Sequence, residues 1–274
     1  MSTQILQPLS LGTSSISALR TANQIYVDKT DLVFELARSV GKIFLARPRR
    51  FGKSLLLSTF ESLFRDGLKY FSGLAIEKQW TDKTYEVIRL DFSEVMSFAR
   101  SDIFEARFVE MVATKFRRID PTFDCTVASF NARLSELLEA RPVLSLVILI
   151  DEYDSPLTEA MDDPNAFGRV RTVLNAFFLT LKANDSCLRF LFMTGITRFS
   201  NTSIFSDFNN LRDISLTSDY SAILGYTERE IRDNFGPYLE RAQKKLGVSA
   251  ANLMKGLVKD SQFSELRIGP KVRV

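Results

Sequence analysis

Residues 47 to 56, RPRRFGKSLL, bring together a glycine, an ammonium and a hydroxyl at Gly52, Lys53 and Ser54. That triplet is the ending of the phosphate-loop pattern G-x-x-x-x-G-K-[ST]. In such a loop, successive backbone N–H groups point into a concavity at a helix N-terminus, where the helix dipole contributes roughly half a positive charge. The lysine reaches the β- and γ-phosphates and the hydroxyl holds Mg2+. The pattern asks for a glycine at position 47, and this chain has Arg47 there, followed by Pro48. A non-glycine residue at positive φ costs about 1–2 kcal/mol, so Arg47 is expected to avoid that conformation. Pro48 fixes φ and supplies no N–H, so the loop entrance must differ from the standard one. Arg49 and Arg50 add charge that can pair with phosphate oxygens. Arg47, Pro48, Arg49, Arg50, Phe51, Gly52, Lys53, Ser54 and Leu55 are the candidate nucleotide-binding residues. A GKS triplet alone is weak and also fits a basic surface loop, so its context decides.

A second acidic group supplies the complement. VILIDEYD, 147 to 154, is an apolar run ending in Asp151 and Glu152. An aspartate at a strand tip can hold Mg2+ through its water shell, and a glutamate one residue on is placed to polarise an attacking water. Asp154 has two open readings: it orients a water or an arginine behind the site, or it caps the segment beginning at Ser155-Pro156. FMTGITRFS, 192 to 200, offers Thr194 as the candidate polar residue at a strand tip beside the γ-phosphate, with Thr197 and Arg198 behind it. Arg198 is a candidate for stabilising transition-state charge, or it pairs with Asp207 or Asp213.

These groups need a scaffold that brings strand tips together. KIFLA at 42–46, YEVIRLDFS at 85–93, LSLVILIDEYD at 144–154, LRFLFMTG at 188–195 and LRDISL at 211–216 read as strands. Helices are expected over residues 30–40 with Gly41 as stop, 54–67, 101–118, 126–140, 165–183, and from 227 to about 258 with a break at Gly236-Pro237. Strands that are apolar on both faces and alternate with helices make a parallel sheet covered on both sides. Ligands of such sheets bind at the carboxyl ends of strands, which is where the motifs lie. The expected organisation is an extension at 1–24, a nucleotide-binding domain at 25–225 and a helical extension at 226–274.

Composition narrows the chemistry. The 274 residues contain no histidine, which removes imidazole bases, Ser-His-Asp and Cys-His nucleophiles and histidine-ligated metals. Cys125 and Cys187 stand apart, outside any metal spacing, and suit a reducing cytoplasmic setting. A net charge of +3 does not by itself imply nucleic acid. No apolar run reaches the roughly 20 residues that span a bilayer, and the N-terminus lacks the pattern of a signal peptide.

Taken in order, YVDKT, FLARPRRFGKSLLLSTF, VIRLDFS, VILIDEYDSPL, FMTGITRFSNTSIFSDFNNLRDISL and GYTEREI resemble the bacterial AAA-ATPase-like P-loop proteins, whose loop reads RPRRFGKS. The resemblance covers residues 20 to 235 or so. It implies an ASCE-type P-loop NTPase fold, with Lys53 and Ser54 on phosphate and Mg2+, Asp151 on the metal and Glu152 as base. It makes the missing glycine a family variant. It also suggests that Tyr26, Asp28 and Lys29 lie near the nucleotide, although their spacing equally fits a turn capping the next helix. Such proteins usually continue into a C-terminal PD-(D/E)xK nuclease-like domain, and neither its carboxylate-lysine set nor the tryptophan- and tyrosine-rich junction to it is visible here. The residues from about 259 match nothing expected of the family, which points to a truncated or frameshifted end.

The resulting expectation is Mg2+-dependent ATP binding and hydrolysis coupled to a partner, with oligomerisation open. The alternatives are a nucleotide-dependent switch with little turnover and a small-molecule kinase. A nucleic-acid or nuclease-like partner would rest on Arg47, Arg49 and Arg50 and on the family's usual association.

Overall fold

The computed structural model describes residues 6–10, 12–198, 211–247, 249 and 252. Five strands form one all-parallel sheet: β1 (Gly41–Ala46), β2 (Glu86–Asp91), β3 (Leu146–Asp151), β4 (Leu188–Gly195) and β5 (Leu211–Asp213). Their spatial order is β2-β3-β4-β1-β5, so β1 lies between β4 and β5 and not beside β2, the strand that follows it in sequence. β3 and β4 are buried along their whole length, as expected of central strands with no polar face.

Side-chain alternation splits the core into two layers. Ile43, Leu45, Val87, Val147, Leu149, Phe190 and Phe192 face one way, with α1 (Ile16–Thr21), α2 (Thr30–Ala37) and α3 (Lys53–Asp66). Phe44, Ile88, Leu90, Ile148, Ile150, Leu191 and Met193 face the other, with α4 (Phe104–Phe116), α5 (Phe130–Glu139), α6 (Ser155–Glu159) and α7 (Pro164–Ala183). Many of the phenylalanines fill these layers; Phe60 and Phe64 of α3 sit 5.1 Å from Phe190, and Phe92, Phe108 and Phe177 interlock on the other side. The architecture is the α/β P-loop NTPase-like one that the resemblance implies.

Local chemistry sets the element ends. Asp163 accepts from Asn165 N and Ala166 N while Pro164 opens α7, a side-chain cap followed by proline at the first position. Gly67 ends α3 with φ 62°. The helix expected up to Gly41 stops instead at Ala37, and Gly41 begins β1. The break expected at Gly236-Pro237 does not occur: α8 (Glu228–Leu246) runs through Pro237. A Thr227/Glu230 capping box starts it and a left-handed Gly247 closes it, while no residue along it is buried, so water can satisfy the carbonyl that Pro237 deprives of a donor. Among the described residues no helix is long and apolar enough to cross a membrane.

Candidate functional site

The chemistry-bearing residues collect at the carboxyl ends of β1, β3 and β4. From β1 the chain enters the loop 47–52 and then α3, which begins at Lys53. Arg47 does not take positive φ; Arg50 (φ 67°) and Gly52 (φ 90°) do. The turn the missing glycine would have made is thus moved later in the loop, and Arg50 carries a left-handed cost of about 1–2 kcal/mol.

Arg47 extends the sheet, its N–H donating to Gly195 O at 3.1 Å. Its side chain is buried and turned inward, with Nη1 donating to Ala46 O (3.0 Å) and to the carbonyl of Ser215 just beyond β5. Ser215 Oγ in turn accepts from Ala46 N at 2.8 Å. A guanidinium only 3% exposed cannot meet a nucleic-acid backbone, which removes Arg47 from the arginines expected to do so. Arg49 and Arg50 are exposed.

Gly52 offers no side-chain cap to the first N–H groups of α3, which have no acceptor within the helix itself. Lys53 is 5% exposed, and its Nζ donates to the carbonyls of Arg47 (2.9 Å) and Pro48 (3.0 Å). Burial lowers its pKa, opposed by the negative charges of Asp151, Glu152 and Asp154. Phe51, Ser54 and Leu55 are half-buried, and Leu224 Cδ2 lies 3.8 Å from where a Cβ on Gly52 would stand.

Asp151, at the end of β3, is 1% exposed. Its Oδ1 accepts from Thr194 Oγ1 at 2.7 Å, and its Oδ2 faces Arg89 Nη2 at 3.8 Å. Glu152 is in the left-handed region (φ 47°), and its Oε2 accepts from Ser155 Oγ at 2.9 Å. On β2, Asp91 stands in register with Asp151. Burial raises its carboxyl pKa, hydrogen bonds from Ser93 oppose the rise, and the charges of Asp151 and Glu152 add to it.

The side-chain cap that was one of the two expected roles of Asp154 does not form: the residue stands at the N-cap of α6 without a side-chain cap hydrogen bond. Its Oδ2 accepts instead from Ile196 N (2.9 Å) and Thr197 N (2.7 Å), amides that β4 delivers directly above it. Burial raises its pKa against those two bonds. Tyr153 holds the next peptide of the same segment, its hydroxyl donating to Thr197 O at 2.9 Å. Arg198, next in the chain, pairs with Asp213 at 3.1 Å, the bland alternative for that arginine; Asp207 lies outside the described residues.

Tyr26, Asp28 and Lys29 act as fasteners. Tyr26 packs against the core layer that holds α3, and burial raises its hydroxyl pKa. Asp28 Oδ1 accepts from Thr30 N and Oδ2 from Ala75 N, and Lys29 pairs with Glu230 of α8.

Sequence reasoning missed Arg89. Its signal was present: an arginine inside the otherwise apolar strand VIRLD. The loop, the uncapped helix start and the Asp151–Thr194 pair form a site suited to an anionic ligand with a divalent cation. One carboxylate and one hydroxyl fit Mg2+, which keeps waters and phosphate oxygens as its remaining ligands, better than a cage built by the protein alone.

Residues 10–205 match the family described as "Predicted AAA-ATPase" (AAA-ATPase-like). The chain is also 33% identical, over 236 residues, to a protein of Azotobacter chroococcum mcd 1 named "Uncharacterized protein in vnfD 5'region". That alignment takes in 84% of this chain and 45% of the relative, so the chain spans less than half of the relative's length. The family match covers well over half of the sequence, and it includes the loop, the Asp151 strand tip and Thr194. The chain belongs to the predicted AAA-ATPase, AAA-ATPase-like, family.

Proposed function

We propose that the chain binds ATP together with Mg2+ and hydrolyses it, and that turnover is coupled to a partner. One observation carries the reading. The guanidinium of Arg89 lies 3.4 Å from the Ser54 carbonyl and 3.8 Å from Asp151 Oδ2, so the start of α3 and the acidic strand tip are separated by the width of one side chain. A triphosphate and its metal need a positive helix end and a carboxylate at that kind of separation.

In this reading Lys53 exchanges the Arg47 and Pro48 carbonyls for phosphate oxygens, and the N–H groups at the start of α3 receive the rest of the phosphate charge. Ser54 Oγ and Asp151 hold Mg2+, with Thr194 orienting the carboxylate. Bound there, the metal would neutralise the charge that develops on the phosphates. Glu152 accepts the proton of the attacking water after leaving Ser155, and Arg198 is the candidate to stabilise charge after leaving Asp213. The hydrogen bond that ties Glu152 to Ser155 favours one second reading, a nucleotide switch that turns over slowly until a partner releases the base. Arg49 and Arg50, exposed beside the loop, remain the residues on which a nucleic-acid partner would rest.

Phosphate release by the purified chain with ATP and Mg2+ tests the proposal. Lys53→Ala should abolish nucleotide binding. Glu152→Gln should keep binding and lose turnover by about 10²–10⁴-fold. Binding without measurable release from the unaltered chain would establish the switch, and no binding at all would refute both.

A further inference from the structure

Arg89 sits on β2 opposite Leu149 of β3, with the same parity as Val87, so its side chain emerges on the α3 face of the sheet. Its guanidinium is shared. Nη1 pairs with Glu61 Oε2 of α3 at 3.1 Å, and Nη2 donates to Ser54 O at 3.4 Å and faces Asp151 Oδ2 at 3.8 Å. Glu61 is itself held from behind, its Oε1 pairing with Arg65 Nη1 at 2.6 Å, while Arg65 Nη2 donates to Val87 O at 3.0 Å. Arg65, Glu61, Arg89 and Asp151 thus form a row of alternating charge from the body of α3 to the tip of β3.

We propose that Arg89 is the built-in counter-cation of Asp151: it balances that carboxylate in the metal-free site and is drawn back onto Glu61 when Mg2+ takes the carboxylate. The inference rests on the proposed Mg2+–ATP site. Asp151 is 2% exposed at its side chain and needs an opposite charge beside it. This cation must move or be tolerated when a second cation arrives. Glu61 already holds the shorter of the two carboxylate contacts, so retreat requires a rotation of the Arg89 side chain and no backbone change. Arg89 should therefore support nucleotide binding without metal and oppose the metal's contribution. It would set how strongly affinity depends on Mg2+.

The measurement is the affinity of the full chain for a fluorescent ATP analogue in Mg2+ and in EDTA, read as the dissociation constant in EDTA divided by that in Mg2+. Arg89→Gln should raise that ratio by about tenfold, the effect of one neighbouring charge removed from a partly buried site. Arg89→Lys, which keeps the charge, should stay near the parent ratio. Glu61→Gln removes the retreat and should lower it. Opposite shifts from Arg89→Gln and Glu61→Gln would not arise from loss of structural support alone, and Glu61→Gln keeps the test alive should Arg89→Gln fail to fold. A ratio unmoved in folded variants, or moved the same way in both, overturns the counter-cation role and leaves the ATP site intact. A parent chain that binds the analogue in neither condition defeats the proposed function and this inference together.

Discussion

Thr194 Oγ1 donates a 2.7 Å hydrogen bond to Asp151 Oδ1, and the two residues are 0% and 1% exposed. The bond joins the tips of the two central strands and occupies one carboxylate oxygen, leaving the other turned toward Arg89 and the start of α3. The orientation of Asp151 is therefore set from β4, by a residue with no charge of its own.

Thr194→Val keeps most of the volume and removes this donor. A buried carboxylate oxygen without its partner costs about 1–3 kcal/mol, so thermal unfolding should fall accordingly. Magnesium-dependent nucleotide affinity should fall as well. Thr194→Ser, which restores the hydroxyl, should recover both. An unchanged melting temperature in Thr194→Val would mean that Asp151 finds its support elsewhere.

Gly195 follows, and space is what it provides. A Cβ there would stand 2.6 and 2.7 Å from Tyr153 ring carbons and 2.8 Å from Asp154 Oδ1. The ring has little freedom to yield, since it packs edge-on to Phe44 at 5.4 Å and its hydroxyl holds Thr197. Gly195→Ala should destabilise by about 1–3 kcal/mol, the usual cost of overpacking, measured by denaturant unfolding. A change within about 0.5 kcal/mol, ordinary for an open surface position, would show that the Tyr153–Asp154 clamp is loose.

Elements whose signal is local were legible in the sequence. The run LRFLFMTG is β4 from first residue to last, and the GKS triplet lies at the start of α3. Features that depend on which strands become neighbours were not legible. Of the two readings of Asp154, the cap on its own following segment does not form; Oδ2 instead accepts from amides at the end of β4, which the order β2-β3-β4-β1-β5 brings alongside. Arg89 gains its meaning only when β2 lies under α3 beside β3. The Arg47 anchor needs Ser215, 168 residues later. Pro237 shows the reverse error, a strong local breaker overruled by good caps on an unburied helix.

The Lys29–Glu230 pair links the segment before α2 to the start of α8, with side chains 10% and 24% exposed. Burial alone would raise the Glu230 pKa, but hydrogen bonds from Lys29 and Thr227 N hold it below the ordinary 4.5. A carboxyl with a depressed folded pKa contributes stability above its unfolded value and loses it as pH falls through the folded one. Acid titration below about pH 4.5 should therefore loosen α8. Glu230→Gln, which can keep the capping box, should remove at most about 1 kcal/mol at neutral pH and flatten this part of the acid response. Urea unfolding followed across that range gives the answer, and parallel curves for parent and variant would exclude the pair as a fastener.

Arg47→Gly tests how the variant loop works. The substitution restores the standard phosphate-loop glycine, so the sequence pattern alone predicts equal or better nucleotide binding. The structure predicts the opposite. Arg47 bolts the loop entrance to the Ala46 and Ser215 carbonyls near the carboxylate of Asp213, and the positive φ that the missing glycine would have supplied is already met at Arg50 and Gly52. A glycine at 47 would leave the Ser215 carbonyl without this donor and free a backbone that is now fixed, at a cost of about 1–3 kcal/mol. Both the melting temperature and the affinity for a fluorescent ATP analogue should drop. Arg47→Lys should fall between the two, because one ammonium cannot reproduce the fixed fork of a guanidinium. Tighter binding by Arg47→Gly at unchanged stability would mean that the arginine burdens the loop instead of anchoring it.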